Sequence, residues 1–288
     1  MKSFFKKIYR QLPFKKEIFT VLKKIWIPPP SVYQHLYFTG SIIVKLNDEQ
    51  NFKMIHYGYQ LENELFWEGL FSCWEKSSMK VWAKLSEKSK VIFDIGANTG
   101  IYSLVARVKS KNAAVYAFEP FPAIYNKLKH NAAINEYEIT SNCMAVSNYT
   151  GSGVIYTEDE NFAYSVTVNQ NLWVKDKEPI KIDIITTTLK DYIEKYNIQS
   201  IDLMKIDVET HEPEVMEGFA EYFLKFKPIL LIEILNDEIA AKLSSYFTPG
   251  DFDFYNIDEL AGLKKVSAIS KSVHYNFLIV PKEKAYLL

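Results

Sequence analysis

Seven residues, Asp94-Ile95-Gly96-Ala97-Asn98-Thr99-Gly100, follow an apolar strand pattern and open a helical one. Such a turn lies at the carboxyl end of a strand, where doubly wound sheets bind their ligands. Its glycines let the backbone approach a ligand closely. The spacing is G-x-x-x-G rather than the G-x-G-x-x-G that cradles a pyrophosphate. Asp94, ahead of the loop, repels a phosphate and attracts an ammonium or sulfonium group. Glu119 ends the next strand pattern, 23 residues after Gly96. A carboxylate there can accept hydrogen bonds from both hydroxyls of a ribose. Asp94 and Glu119 together favour S-adenosylmethionine over NAD. The plainer alternative is that Gly96 and Gly100 serve only a tight turn.

A second constellation is Lys205-Ile206-Asp207-Val208-Glu209-Thr210-His211-Glu212. Residues two apart on a strand share a side, so Lys205, Asp207 and Glu209 are expected together on a buried strand over 201–209. Three charges there are costly unless paired or functional. Methyl transfer to a hydroxyl needs an oriented nucleophile and a proton acceptor. The candidate catalytic residues are therefore Asp207, Glu209 and His211, with Lys205 beside them. The alternative is an ion pair from Lys205 to Asp207 or Glu209 that only positions the loop. His211 also reads as an exposed helix cap, and Glu212 as an acid that offsets a helix dipole. Glu233, in the apolar run PILLIEIL, could ligate Mg²⁺ with Asp207, since hard cations take carboxylate oxygens. No diagnostic metal spacing accompanies that pair. His35, His56, His130 and His274 form no cluster and read as surface or structural residues.

The segments VIFDIGANTGIYS, FEPFP, MAVSN, ITTTLKDY, LMKIDVETHEPEVMEGF and ILLIEI occur in the order seen in FkbM-type methyltransferases. ELFWEGLFSCWEK resembles that family's lead-in helix, and the resemblance covers about residues 36–282. FDIGANTG is general to class I methyltransferases, whereas KIDVE-x-x-E with TTLKD is more specific. The resemblance implies a Rossmann-like α/β fold with a mostly parallel seven-stranded sheet, helices on both faces, and S-adenosylmethionine as cofactor. Members mostly O-methylate small molecules and sugars. The implied acceptor is a hydroxyl of a sugar, glycan or other small molecule, a lipid-linked or cell-surface glycan included. Asp94, Gly96, Asn98 and Gly100 would surround the methionine part, and Glu119 would hold the ribose. Ala145, Val146 and Ser147 would lie near the adenine. Cys143 reads as a buried small hydrophobe rather than a nucleophile. Thr210 stands where the family usually has glycine, which bears on the backbone path near the acceptor.

The elements that must position these residues alternate from residue 91 onward. Strands are expected at 91–97, 114–120, 139–147, 201–209 and 228–235, with helices at 101–110, 122–135 and 212–226 between them. This rhythm implies a parallel sheet covered on both faces. GSGVIYTE and FAYSVTV suggest an inserted hairpin, and FDFYNI with VHYNFLIVP a closing antiparallel pair. Upstream, two short strands over 36–57 precede a helix over 62–86. The expected division is a basic segment 1–30, a lead-in 31–90 and a cofactor-binding domain 91–288.

Aromatic residues are abundant, with 19 Tyr and 19 Phe, which excludes a disordered chain that buries too little to offset its entropy. A net charge of −1 offers no general attraction to nucleic acid. Two cysteines without a CxxC read as free thiols in a reducing compartment. No apolar run approaches the ~20 residues that span a bilayer, and lysines interrupt any signal-peptide core, so the expected location is cytoplasmic. Residues 1–27 carry eight Lys/Arg against one acid, interleaved with Phe4, Phe5, Ile8, Phe19, Leu22, Ile25 and Trp26. That pattern points to peripheral attachment to an anionic membrane. Packing on the core or on a second subunit is the alternative. Two other functions compete: an NAD-linked enzyme on a similar fold, and a catalytically inactive methyltransferase fold kept as an interaction module.

Overall fold

The computed structural model describes residues 13–157 and 180–288. The chain divides into two compact units, 1–74 and 75–288, so the expected lead-in 31–90 is shared between them. Residues 1–12 of the basic segment and the FAYSVTV stretch lie outside the described residues.

In the first unit, α1 (Lys15–Ile25) buries Phe19 against Phe38 and Trp67, with ring centroids 6.1 and 5.6 Å apart. Proline opens the short α2 (Pro30–Tyr33), where its fixed φ suits a first helical position. β1 (Gly40–Lys45) and β2 (Asn51–His56) pair antiparallel. Asn47 closes their turn by accepting hydrogen bonds from the backbone N–H groups of Glu49 and Gln50. Phe52, Met54 and His56 alternate inward under α3 (Gln60–Trp67). The helix expected over 62–86 ends in this unit and resumes in the next. Gly69 and Glu75, at φ +88° and +50°, take left-handed conformations that no α-helix continues through.

The second unit opens with α4 (Lys76–Ser86), β3 (Val91–Ile95), α5 (Ile101–Lys109), β4 (Ala114–Phe118), α6 (Pro122–Ala133) and β5 (Ile139–Asn142). A three-stranded excursion follows, built from β6 (Ala145–Val146), β7 (Gly151–Thr157) and β8 (Ile180–Thr187). The main sheet resumes through α7 (Leu189–Tyr196), β9 (Leu203–Ile206), α8 (Glu212–Glu217), α9 (Ala220–Phe226) and β10 (Ile229–Glu233). It closes with α10 (Asp237–Ser244), β11 (Phe252–Asp258), β12 (Gly262–Val266) and β13 (Asn276–Pro281).

The main sheet runs in the order β5-β4-β3-β9-β10-β13-β11-β12. Its first five strands are parallel, and β13 lies antiparallel to both β10 and β11. This is the expected class I methyltransferase arrangement, with the short β12 added at the edge. Every residue of β9 is buried. Since neighbours on a strand point to opposite faces, both faces of the sheet are covered there. The direction of winding reverses between β3 and β9, which opens a crevice at their carboxyl ends.

Two local expectations change. The strand foreseen over 139–147 is two strands in different sheets, because β6 leaves β5 to pair with β8. β7 pairs antiparallel with β8, from Gly151 opposite Thr186 to Thr157 opposite Ile180. The helix foreseen over 212–226 breaks after Glu217, beside a close backbone crossing. A Cβ on Gly218 would sit 2.2 Å from the Ser147 carbonyl oxygen.

Candidate functional site

The turn after β3 is held by the protein itself. The N–H groups of Gly96 and Ala97 both donate to the Phe118 carbonyl at the end of β4, at 3.0 and 2.9 Å. Gly96 has φ +77°, and a Cβ there would fall 1.8 Å from the Asp207 carbonyl oxygen. Gly100 has φ +94°, and its Cβ would lie 3.1 Å from Leu128 Cγ. Internal packing therefore already demands both glycines, and the case for a ligand rests on the acids.

Asp94, on β3, is fully buried. Ser103 Oγ donates to its Oδ2 at 2.6 Å, while Oδ1 is buried without a hydrogen-bond partner. Burial raises its pKa, and the Lys205 ammonium opposes the rise. Asp94 and Lys205 stand directly opposite each other in the β3–β9 ladder, so the charge pair is built into the strand register. An orphaned carboxylate oxygen in a buried site is what a bound cationic or hydroxyl donor would satisfy.

Glu119, buried beyond the end of β4, accepts from Asn98 N–H at 3.0 Å and from Phe121 N–H at 2.9 Å. Asn98 has φ +49° and caps its own turn, its Oδ1 accepting from Thr99 N–H at 2.8 Å. Each Glu119 oxygen keeps a second lone pair, so the carboxylate can still accept two hydroxyl protons. Burial pushes its pKa up to about 7 against the two backbone donors.

Lys205 is buried on β9, with Nζ 2.7 Å from Asp207 Oδ2 and 4.8 Å from the centre of the Tyr102 ring. Burial alone would depress its pKa, but Asp207, Asp94 and Glu75 outweigh that and raise it. Glu75 is gripped by Tyr102 Oη and Asn276 Nδ2, each 2.6 Å away, and burial followed by Asp207 lifts its pKa to about 7. The ion pair foreseen between Lys205 and Asp207 is thus present. The placement of Glu209 is corrected. β9 ends at Ile206, and Glu209 and Thr210 lie in a turn with φ +54° and +78°, so Glu209 does not continue the line of Lys205 and Asp207. Burial, then Asp207, raises the Glu209 pKa.

His211 is not an exposed cap. Its Nε2 lies 2.9 Å from Ser147 Oγ and its Nδ1 3.5 Å from Glu214 Oε2, and burial lowers its pKa. Glu212 is fully buried and does more than offset a dipole. Its Oε1 accepts from Val208 N–H at 3.1 Å, its Oε2 has no hydrogen-bond partner, and burial pushes its pKa to about 7. Glu233, at the end of β10, is driven to about 9 by burial and then by Asp207, Glu209 and Glu212. Among the described residues no group of three His, Cys, Asp or Glu is arranged to hold a metal, around Asp207 and Glu233 or elsewhere.

Ala145 and Val146 are buried on β6, and Ser147 N–H donates to the Thr187 carbonyl at 2.9 Å. Ala145 and Ser147 line a cleft of about 390 Å³ with Tyr149, Gly153, Val154, Tyr156, Ile184, Thr186, His211 and Glu214. Neither Cys143 nor Cys73 forms a disulfide, and burial raises the Cys143 pKa, which suits a packing role. The residues that sequence reasoning missed are Ser103, Tyr102, Glu75, Tyr149, Tyr156 and Glu214. Glu214 had a signal, since three residues after His211 places it on the same helical face.

The family model for the methyltransferase FkbM domain matches residues 94–259. Methyltransferase sdnD of Sordaria araneosa is 28% identical over 160 residues, covering 45% of this chain and 60% of that protein. The 31-O-demethyl-FK506 methyltransferase FkbM of Streptomyces tacrolimicus is 29% identical over 152 residues, covering 44% and 58%. Hexuronic acid methyltransferase AglP of Haloferax volcanii is 24% identical over 148 residues, covering 50% and 56%. The chain spans little more than half the length of these relatives. The matched region runs from Asp94 to Glu259 and contains the β3 turn, Glu119 and the β9 turn, and on that ground the chain belongs to the methyltransferase FkbM domain family.

Proposed function

We propose that this protein is an S-adenosylmethionine-dependent O-methyltransferase acting on a hydroxyl of a sugar, glycan or other small molecule. The observation that carries the reading is the pair of buried acids flanking one turn. Asp94 has an unpartnered oxygen, and Glu119 is clipped to the loop with acceptor capacity to spare. Asp94 and the adjoining loop suit the cationic methionine part, and Glu119 the ribose. When bound, the cofactor supplies an electrophilic methyl group on a sulfonium. Asp207, half-buried and tied through Oδ2 to Lys205, keeps Oδ1 for an acceptor hydroxyl. The relative named for 31-O-demethyl-FK506 supports an oxygen acceptor, and the one named for a hexuronic acid supports a sugar-class acceptor.

Two titrations and one rate test this reading. S-adenosylhomocysteine is expected to bind in the micromolar range and NAD not to bind. Glu119→Ala should weaken the former, each lost charge-assisted hydrogen bond costing about 1.5–3 kcal/mol. Asp207→Asn should lower turnover and leave that affinity largely unchanged. NAD binding would overturn the cofactor assignment, and normal turnover in Asp207→Asn would make the Lys205–Asp207 pair structural.

Residues 1–27 are proposed to hold the protein on an anionic membrane surface, where a lipid-linked acceptor would be met. On α1 and its flanks, Phe14, Ile18, Val21 and Ile25 are exposed at helical spacing, followed by exposed Trp26 and Ile27. Lys15, Lys16 and Lys24 accompany them. Each cation near an anionic leaflet contributes about 1 kcal/mol. No helix among the described residues is long and apolar enough to cross a membrane. Co-sedimentation with phosphatidylserine vesicles should weaken with salt and vanish on deletion of residues 1–27. Indifference of the full chain to these vesicles at low salt would overturn the attachment.

A further inference from the structure

Lys205 has two carboxylates to choose between. Its ammonium lies 2.7 Å from Asp207 Oδ2. Asp94 stands directly opposite it in the β3–β9 ladder, fully buried, and its Oδ1 has no hydrogen-bond partner among the described residues. A buried carboxylate oxygen left unpaired competes for a neighbouring ammonium, because a charge-assisted bond there is worth more than a neutral one. Yet the hydrogen bond goes to Asp207.

A third contact bears on that choice. The Lys205 ammonium rests 4.8 Å from the centre of the Tyr102 ring, and a desolvated cation is attracted to an aromatic face. The ring is itself held. Tyr102 Oη donates to Glu75 Oε2 at 2.6 Å, and Trp82 packs edge-on against the ring with centroids 5.4 Å apart. Asn276 Nδ2 donates to Glu75 Oε1 at 2.6 Å. Next to Glu75, the N–H groups of Ser77 and Ser78 donate to Glu259 Oε2 at 2.6 and 3.3 Å, which pins the first turn of α4. Glu75 also attracts the Lys205 ammonium by its own charge. Its backbone is left-handed, at φ +50° and ψ 37°, where a residue with a Cβ is strained and glycine is not. Strain of this kind persists where the surroundings over-determine it, and it clusters at functional sites.

The geometry points to Glu75 and Tyr102 as positioning residues that hold the Lys205 ammonium on Asp207 and off Asp94. Asp94 is then left for the cationic methionine part of the cofactor, whose place Lys205 would otherwise take. The inference rests on the cofactor reading above for what Asp94 binds. Glu75 and Tyr102 act through Lys205 and touch no part of the cofactor.

The test is calorimetric titration of the full chain with S-adenosylhomocysteine and with 5′-methylthioadenosine, which has the same nucleoside and a thioether but no amino-acid part. Glu75→Gln removes the charge and can keep both hydrogen-bond partners, its amide donating to Tyr102 Oη and accepting from Asn276. Tyr102→Phe keeps the ring and releases it from Glu75. Each variant is expected to weaken S-adenosylhomocysteine about tenfold and to leave methylthioadenosine within about twofold of the wild type. The double variant is expected to bind no more weakly than the weaker single one, because both changes break the same linkage. Unchanged S-adenosylhomocysteine affinity in Glu75→Gln would overturn the inference. A loss in Glu75→Gln with full affinity in Tyr102→Phe would place Glu75 on the cofactor itself, which also overturns it. Equal losses of both ligands would make the two residues a prop for the whole site, and losses that multiply in the double variant would make them independent; either result overturns the inference. A wild type that binds neither ligand defeats the cofactor reading, and this inference with it.

Discussion

Glu119 should release a proton when S-adenosylhomocysteine binds. Burial sets its pKa at about 7, with Asp94 and Lys205 the charged groups that act on it and the Asn98 and Phe121 N–H groups its donors. Ribose hydroxyls donate, so they select the ionised carboxylate. About 9% of the protein is then competent at pH 6 and about 91% at pH 8, because the apparent dissociation constant scales inversely with the competent fraction. The sign follows directly: binding expels a proton, so affinity rises with pH, by about tenfold across those two units. In Glu119→Gln the group cannot ionise and the tenfold dependence should disappear. Affinity at pH 8 should also fall about 10- to 100-fold, the equivalent of one charge-assisted hydrogen bond. Calorimetry at pH 7 in two buffers of different ionisation enthalpy measures the proton directly, and about half a proton per site is expected. A flat affinity between pH 6 and pH 8 would refute the reasoning, as would a pH dependence that survives in Glu119→Gln.

Three further outcomes follow from the same geometry. Gly96→Ala places a Cβ against the Asp207 carbonyl at φ +77°, and should cost about 2–5 kcal/mol in denaturant unfolding; a loss below about 1 kcal/mol would mean that the two turns are not in contact. Thr210→Gly relieves a β-branched residue at φ +78°, and should raise stability by about 1 kcal/mol net of the added chain entropy; a lower melting temperature would show that the turn has another conformation. Melting of the ligand-free protein should shift downward as pH rises from 6.5 to 8. Glu75, Glu119 and Glu212 are held near 7 and Glu233 near 9, so in this window the folded state binds protons that the unfolded state has already lost. The buried His56 and His211 have lowered values and act with the opposite sign, but chiefly below pH 6.5. A melting temperature that climbs over this range would contradict the burial of these acids.

The parts legible in the sequence were those written within a few residues. The turn from Asp94 to Gly100 shows itself as an apolar strand run into a helical one, and Pro122 marks the start of α6. The parallel sheet follows from the alternation of such runs. What stayed hidden depends on how distant segments meet. Nothing local says that Asp94 faces Lys205, because that pairing is set by the β3–β9 register. Nothing local joins Ser147 to His211, which lie 64 residues apart. Strand alternation placed Glu209 in line with Asp207, since a period of two carries no sign of two consecutive left-handed residues. The helix over 212–226 breaks where the Ser147 carbonyl crosses at Gly218, a tertiary contact that helix propensity does not contain.

The most direct test of the central claim is methyl transfer itself. The full chain would be incubated with S-adenosylmethionine carrying a labelled methyl group and with neutral glycosides and glycan fractions from the source cell. Product would be followed by mass and by S-adenosylhomocysteine formed. The account predicts one labelled methyl on an acceptor hydroxyl for each S-adenosylhomocysteine released, with both signals reduced together in Asp207→Asn. A protein that binds S-adenosylhomocysteine yet transfers no label to any fraction would contradict it, and would favour a methyltransferase fold retained for interaction alone.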